Sequence, residues 1–297
     1  MKQIFYLLLL MFSTSCIQIL REVPKDKDKA ACYDYRLFQE TPAWNLAKAV
    51  WDQDTGKIGR IVRQDSSLVN YREDKYGQTL IFIAIQWDHF KSVKALVDNG
   101  ADINIRDSYD GRTPLIEACR LNPNLECVRL LIEHGADVNA KETEKGMWTY
   151  KAYNTPLSVV ARYGGDPEVR LDIVKLLVSH GADINYMLGD SLSILDHALI
   201  SKHYNIALYL LKAGAEYRYS ETFNYANDNK YTVLRILDYL RMSLFELDSK
   251  EYKEKMEVVA YLKERGLDYF STPIPDSVLK RIKIRYPDQI EEYLRRY

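Results

Sequence analysis

Five histidines and four cysteines are the side chains of this 297-residue chain with the widest chemical reach, as metal ligands, general bases or nucleophiles. To hold a metal, two or three of His89, His134, His180, His197 and His203 would have to converge, in a spacing such as HExxH. His197 and His203 stand six apart without such a motif, and the others are spread over much greater separations. Cys16, Cys32, Cys119 and Cys127 form no CxxC pair and no metal-ligand spacing. No GxSxG, P-loop or GxGxxG motif appears in a strand–turn–helix context. The chain therefore reads as no enzyme, with no catalytic residue, metal, cofactor or small-molecule substrate. Cys119 and Cys127 fit the core positions of two neighbouring helices, and a disulfide between them is the competing reading in an oxidising compartment.

Composition points the same way. Apolar residues make up 47% of the chain and charged residues 28%, which is globular and not disordered. A formal charge of −1 gives no global field toward nucleic acid or anionic lipid. Tyr is abundant at 23, whereas Gly at 13 and Pro at 9 are sparse, which favours helices over a loop-rich fold.

The amino terminus reads as an address. Lys2 precedes the apolar run 4–12, which is shorter than the ~20 residues needed to span a bilayer and fits the apolar region of a signal peptide. Ser13, Thr14 and Ser15 then lead to Cys16, which resembles the lipobox of bacterial lipoproteins, with Ser13 standing where Leu is usual. The resemblance implies a signal peptide over 1–15 and acylation of Cys16; ordinary signal cleavage is the alternative. Ile17 after the cysteine, in place of Asp, implies outer-membrane sorting, with the protein in the bacterial envelope facing the periplasm. Residues 16–42, with Pro24 and the alternating Lys25-Asp26-Lys27-Asp28-Lys29 block, suit a solvated tether.

The elements that would position any site repeat along the chain. NGADIN occurs at 99–104, HGADVN at 134–139, HGADIN at 180–185, and a weaker AGAEY at 213–217. A TPL-like string precedes each: 78–80, 112–115, 154–157 and 192–195. Within 110–140, Asp110-Gly111 signals a turn and Thr113 caps a helix that Pro114 can open at no hydrogen-bond cost. Leu115, Ala118 and Cys119 line that first helix, Asn122-Pro123-Asn124 ends it, and Leu125, Val128, Leu130 and Leu131 line a second. Gly135 supplies the left-handed stop. These strings and their spacing of about 33 residues resemble the ankyrin repeat, a β-turn followed by two antiparallel helices. The fold expected is all-α: an ankyrin-repeat solenoid of about six units over 43–271, closed by a helical C-terminal cap over 272–297. The first copy is degenerate, and the sixth opens with a long helix over 234–247.

Such repeats imply a protein partner on the concave surface, made by the turn tips and first helices, with no nucleic acid bound. Carried onto this sequence, the surface takes in Trp87, Arg120, Arg162 and Tyr163, residue types enriched at binding hot spots. The competing reading packs Trp87 and Tyr163 against neighbouring repeats. Between 139 and 155 the turn expands into a finger carrying Met147, Trp148, Tyr150 and Tyr153, and 217–230 is a second irregular tip rich in Tyr and Asn. Together these features describe an envelope-anchored interaction module, membrane-attached through Cys16. A periplasmic immunity protein that neutralises a toxin is the alternative.

Overall fold

Several helix starts are set by short polar side chains. In the computed structural model, which describes residues 26–120, 123–143, 153–189, 192–224 and 230–297, Thr155 and Ser158 exchange hydrogen bonds in a capping box, Thr155 N–H to Ser158 Oγ at 2.8 Å and Ser158 N–H to Thr155 Oγ1 at 3.3 Å. Ser193 and Asp196 repeat the device one unit later. The Asp166 carboxylate accepts from both Glu168 and Val169 N–H. Each device satisfies main-chain donors that a helix end leaves open.

Among the described residues six helix pairs follow in chain order. They are α1 (Trp44–Trp51) with α2 (Thr55–Gln64), α3 (Leu80–Gln86) with α4 (Phe90–Asp98), and α5 (Pro114–Ala118) with α6 (Leu125–Glu133). Then come α7 (Pro156–Arg162) with α8 (Pro167–Ser179), α9 (Ile194–Ile200) with α10 (Tyr204–Lys212), and α11 (Arg235–Met242) with α12 (Lys250–Lys263). The tail folds into α13 (Asp276–Arg285) and α14 (Ile290–Arg296). The architecture is thus the helical ankyrin-repeat solenoid expected, except that among the described residues one antiparallel hairpin, β1 (Ser220–Asn224) and β2 (Lys230–Leu234), stands where an irregular tip was expected. No helix among the described residues is long and apolar enough to cross a membrane.

The chain divides into two compact units, one built on residues 26–118 and 130–136, the other on 119–129, 137–143 and the described residues from 153 onward. In the first, Leu46, Ala47 and Val50 of α1, Ile58 and Val62 of α2, and Leu80 to Ala84 of α3 are buried. The Ser92 hydroxyl, wholly enclosed, donates to the Val50 carbonyl at 2.6 Å and ties the second helix pair to the first. Residues 26–42 correct the expectation of a solvated tether. Tyr35, Leu37 and Phe38 are buried, and the Tyr35 ring stacks on Trp51 at 4.5 Å and on Trp44 at 5.7 Å. The Lys–Asp block itself stays largely exposed, and burial of these rings fixes the chain that follows it.

In the second unit the repeat signature becomes a set of hydrogen bonds. Asn139 Nδ2 donates to Gly181 O at 2.9 Å while its Oδ1 accepts from Asp183 N–H at 2.8 Å. Asn185 accepts from Glu216 N–H at 2.8 Å in the next copy. Within the first unit Asn70 and Asn104 do the same work toward Gly100, Asp102 and Gly135. The preceding aspartates fold each turn onto itself, Asp183 Oδ1 accepting from Asn185 N–H at 2.9 Å. Asp102, Asp137 and Asp183 are therefore turn formers, and repetition of GADxN is the spacing of an inter-repeat clasp.

The sixth pair departs from the long helix expected over 234–247: α11 ends at Met242. Side chains from elsewhere take the main-chain groups that would have continued it. Lys255 Nζ donates to Ser243 O at 3.2 Å, and the Tyr293 hydroxyl both donates to Phe245 O (2.6 Å) and accepts from Phe245 N–H (3.2 Å). The tail core of Leu244, Val278, Ile282, Tyr293 and Tyr297 forms around this arrest. Arg241, almost fully buried, donates to Tyr297 O at 2.6 Å and Tyr269 O at 2.8 Å, with its guanidinium 3.9 Å from the centre of the Tyr269 ring.

Candidate interaction surface

In the second unit the end of α7 is held by side chains that reach its last carbonyls. The Arg170 guanidinium from α8 donates to Val160 O at 2.9 Å, to Arg120 O at 2.8 Å and to Gly164 O. His203 Nδ1 lies 2.9 Å from Ala161 O, and the Ser201 hydroxyl donates to Arg162 O at 2.8 Å. Three successive acceptors at the helix C-terminus, the carbonyls of Val160, Ala161 and Arg162, are thus supplied from side chains of α8 and of the following repeat. Arg170 is fully enclosed, and burial pulls its pKa below the ordinary value; an arginine nevertheless stays charged. Burial also lowers the pKa of His203, with a smaller push from Arg170.

That clamp sets the main chain of Arg120, Arg162 and Tyr163, and it brings the three side chains together. The Arg120 and Arg162 guanidiniums lie 5.7 and 5.8 Å from the centre of the Tyr163 ring. All three are half-buried. A phenol ring flanked by two guanidiniums offers an apolar face, a hydroxyl and planar donors suited to carboxylates.

Trp87, in the first unit, sits differently. Its indole is 42% exposed, yet its N–H donates to the Tyr33 carbonyl and its ring meets Tyr33 and Trp51 edge-on at 5.9 and 4.8 Å. His89 packs on Trp51 at 5.4 Å, and burial lowers its pKa. Trp87 is therefore the outer member of an aromatic set with Tyr33, Tyr35, Trp44 and Trp51, a set the hot-spot reading of the sequence missed. Its signal was legible: Trp44 and Trp51 are seven apart, on one helical face, beside the CYDY string.

The finger is described only at its root. Met147, Trp148 and Tyr150 lie outside the described residues, as do Cys16 and the whole signal segment. Tyr153 is half-buried, with a φ of 51°. Beside it the root is pinned: Asn154 Nδ2 donates to Glu142 Oε2 at 2.6 Å and Glu142 N–H donates to Asn154 O at 2.9 Å. Cys119 and Cys127 are buried and form no disulfide, and burial raises the Cys119 pKa.

Arg170 also escaped the sequence reading. It occupies an apolar position of α8, in register with Ile173, Val174 and Leu177, all buried. A charged residue on an otherwise apolar stripe was the available signal.

Comparison with known families finds two matches. A model described as ankyrin repeats in three copies covers residues 61–142, and one described as ankyrin repeats in many copies covers residues 160–211. A search of curated proteins returns no match. The α11–α12 pair and α1 lie beyond both family matches. The chain thus carries ankyrin repeats in an ankyrin-repeat solenoid, and such repeats make it a protein–protein interaction module.

Proposed function

We propose that this chain is an envelope-anchored, non-catalytic module that holds a protein partner at the Arg120–Tyr163–Arg162 surface, with the finger carrying Met147, Trp148, Tyr150 and Tyr153 as a second contact. The observation that carries the reading is the pair of guanidiniums on one half-buried tyrosine ring, on a main chain fixed by a buried arginine. A pre-organised aromatic–arginine patch loses little entropy on binding, and it favours a partner presenting carboxylates. The anchoring part rests on Cys16 and the apolar run before it.

The binding arm is tested by capture from detergent-solubilised envelopes with the wild-type chain and Tyr163→Ala in parallel, followed by titration of the recovered protein in purified form. A protein retained by the wild type and bound at least tenfold more weakly by Tyr163→Ala supports the reading; equal affinity for both rejects it. For the anchor, Cys16→Ala should move the protein from the membrane fraction to the soluble one, and unchanged fractionation rejects it.

A further inference from the structure

The first unit holds a stretch of its own chain much as a receptor holds a peptide. Lys75 and Tyr76, at the turn tip before α3, reach the main chain of residues 27–30. Lys75 Nζ donates to the carbonyls of Lys27, Asp28 and Ala30 at 3.1, 2.7 and 2.9 Å, and the Tyr76 hydroxyl donates to Ala30 O at 3.0 Å. At the end of α3, the Trp87 indole N–H takes the Tyr33 carbonyl, with the Tyr33 ring set edge-on against it. The seat is therefore built from the turn tip and first helix of one repeat, the two elements from which an ankyrin surface is made.

What it reads is almost entirely main chain: four carbonyls and one aromatic ring. Recognition of that kind is tolerant of sequence, so one segment can replace another. The segment also has two parts of different standing. Tyr35, Leu37 and Phe38 are buried among α1 side chains and fix the chain, while Tyr33 just before them is 52% exposed and Trp87 beneath it 42%. Within the stretch 27–33 only the Ala30 methyl is buried, and Lys27 Nζ donates to Gln39 O at 2.8 Å, so its hold is small beside that of the rings after Asp34.

We propose that the Lys75–Tyr76–Trp87 face is a peptide-binding site occupied in the isolated chain by residues 27–33, which coil through a short 3-10 turn, and that its external ligand is a similarly turned partner segment offering backbone carbonyls and one aromatic side chain, which binds by displacing them. The proposal concerns the first unit alone and does not depend on the Arg120–Tyr163–Arg162 surface. The internal copy stands at an effective concentration on the order of millimolar, so it masks the site from weak ligands and admits strong ones.

The test uses the full chain and a fluorescent peptide of residues 26–35 with serine in place of Cys32. Two lesions on the segment itself, Ala30→Asp with Tyr33→Ala, release it and leave the seat intact. The peptide should bind the lesioned chain at least tenfold more tightly than the wild type, and adding Lys75→Ala should abolish that gain. Equal binding to wild-type and lesioned chains, or a gain indifferent to Lys75→Ala, overturns the proposal. Cys32 should react with maleimide several-fold faster in the lesioned chain while buried Cys119 and Cys127 stay protected, which separates release from unfolding. If the double variant unfolds, Lys75→Ala alone must accelerate Cys32 labelling, and an unchanged rate overturns the proposal.

Discussion

Asn139 clasps the turn of the following repeat from both sides, donating to the Gly181 carbonyl at 2.9 Å and accepting from the Asp183 N–H at 2.8 Å. One side chain thereby satisfies a donor and an acceptor that belong to a different copy of the motif. Because both bonds are solvent-exposed, each contributes modestly. Asn139→Ala should lower the urea unfolding free energy by about 1 kcal/mol. Lys175→Ala, which breaks only an exposed ion pair in α8, should shift it by less than about 0.5 kcal/mol. Equal midpoints for Asn139→Ala and the wild type would remove the clasp from the account of stability.

Arg170 should be far more costly to replace. Arg170→Met fills similar space but orphans the carbonyls of Val160, Arg120 and Gly164, and the expected loss is about 3 kcal/mol. Arg170→Lys keeps the charge but cannot span three acceptors, so it should fall between. Urea titrations of the three proteins give the ranking, and a methionine variant as stable as the wild type would refute the clamp.

Arg162→Ala and Tyr163→Ala leave the main-chain clamp in place and remove only ring–guanidinium contacts, so unfolding free energies should stay within about 1 kcal/mol of wild type. Partner affinity should drop, and for Arg162→Ala its salt dependence should flatten, since one guanidinium no longer contributes. Binding titrations at two ionic strengths read both effects. A salt slope unchanged in Arg162→Ala would separate Arg162 from the contact.

His203 carries a pH dependence with a defined sign. Its folded pKa is lowered, first by burial, so below the ordinary histidine value the unfolded chain binds the proton more readily than the folded one. The stability associated with this residue is complete above an ordinary pKa of about 6.5 and is lost as pH falls toward the folded value. The difference in unfolding free energy between wild type and His203→Gln should therefore shrink from pH 8 to pH 5.5. A difference that grows on acidification would reverse the assignment.

Two glycines should respond unequally to alanine. At Gly77, φ is +64° and an added Cβ would lie 2.0 Å from Ser108 Oγ and 2.6 Å from Ser108 Cβ. At Gly100, φ is +90° but nothing lies within 4 Å. Gly100→Ala should cost about 1 kcal/mol from the backbone alone, and Gly77→Ala about 2 kcal/mol more because the neighbouring turn must move. Thermal unfolding of both variants decides, and equal shifts would contradict the close approach at Gly77.

Local chemistry made the repeats legible. A threonine or serine before a helix, a proline in its first turn and a glycine after its partner act within a few residues, so the helix pairs and the turn role of Asp102, Asp137 and Asp183 could be read from spacing. The placing of Arg162 and Tyr163 at the end of a first helix was legible too, because register in the repeat fixes it. Tertiary structure alone decided the rest. Residues 26–42 carry a charged block that reads as linker, and only the gap between Trp44 and Trp51, filled by the Tyr35 ring, turns them into folded chain. The arrest of α11 at Met242 depends on Tyr293 and Lys255, which reach Phe245 and Ser243 from 48 and 12 residues away. Arg170 was visible as a misplaced charge, but its partners are carbonyls, which every residue carries and no pattern marks. Long-range contacts of that kind are absent from the residue order until the chain has folded.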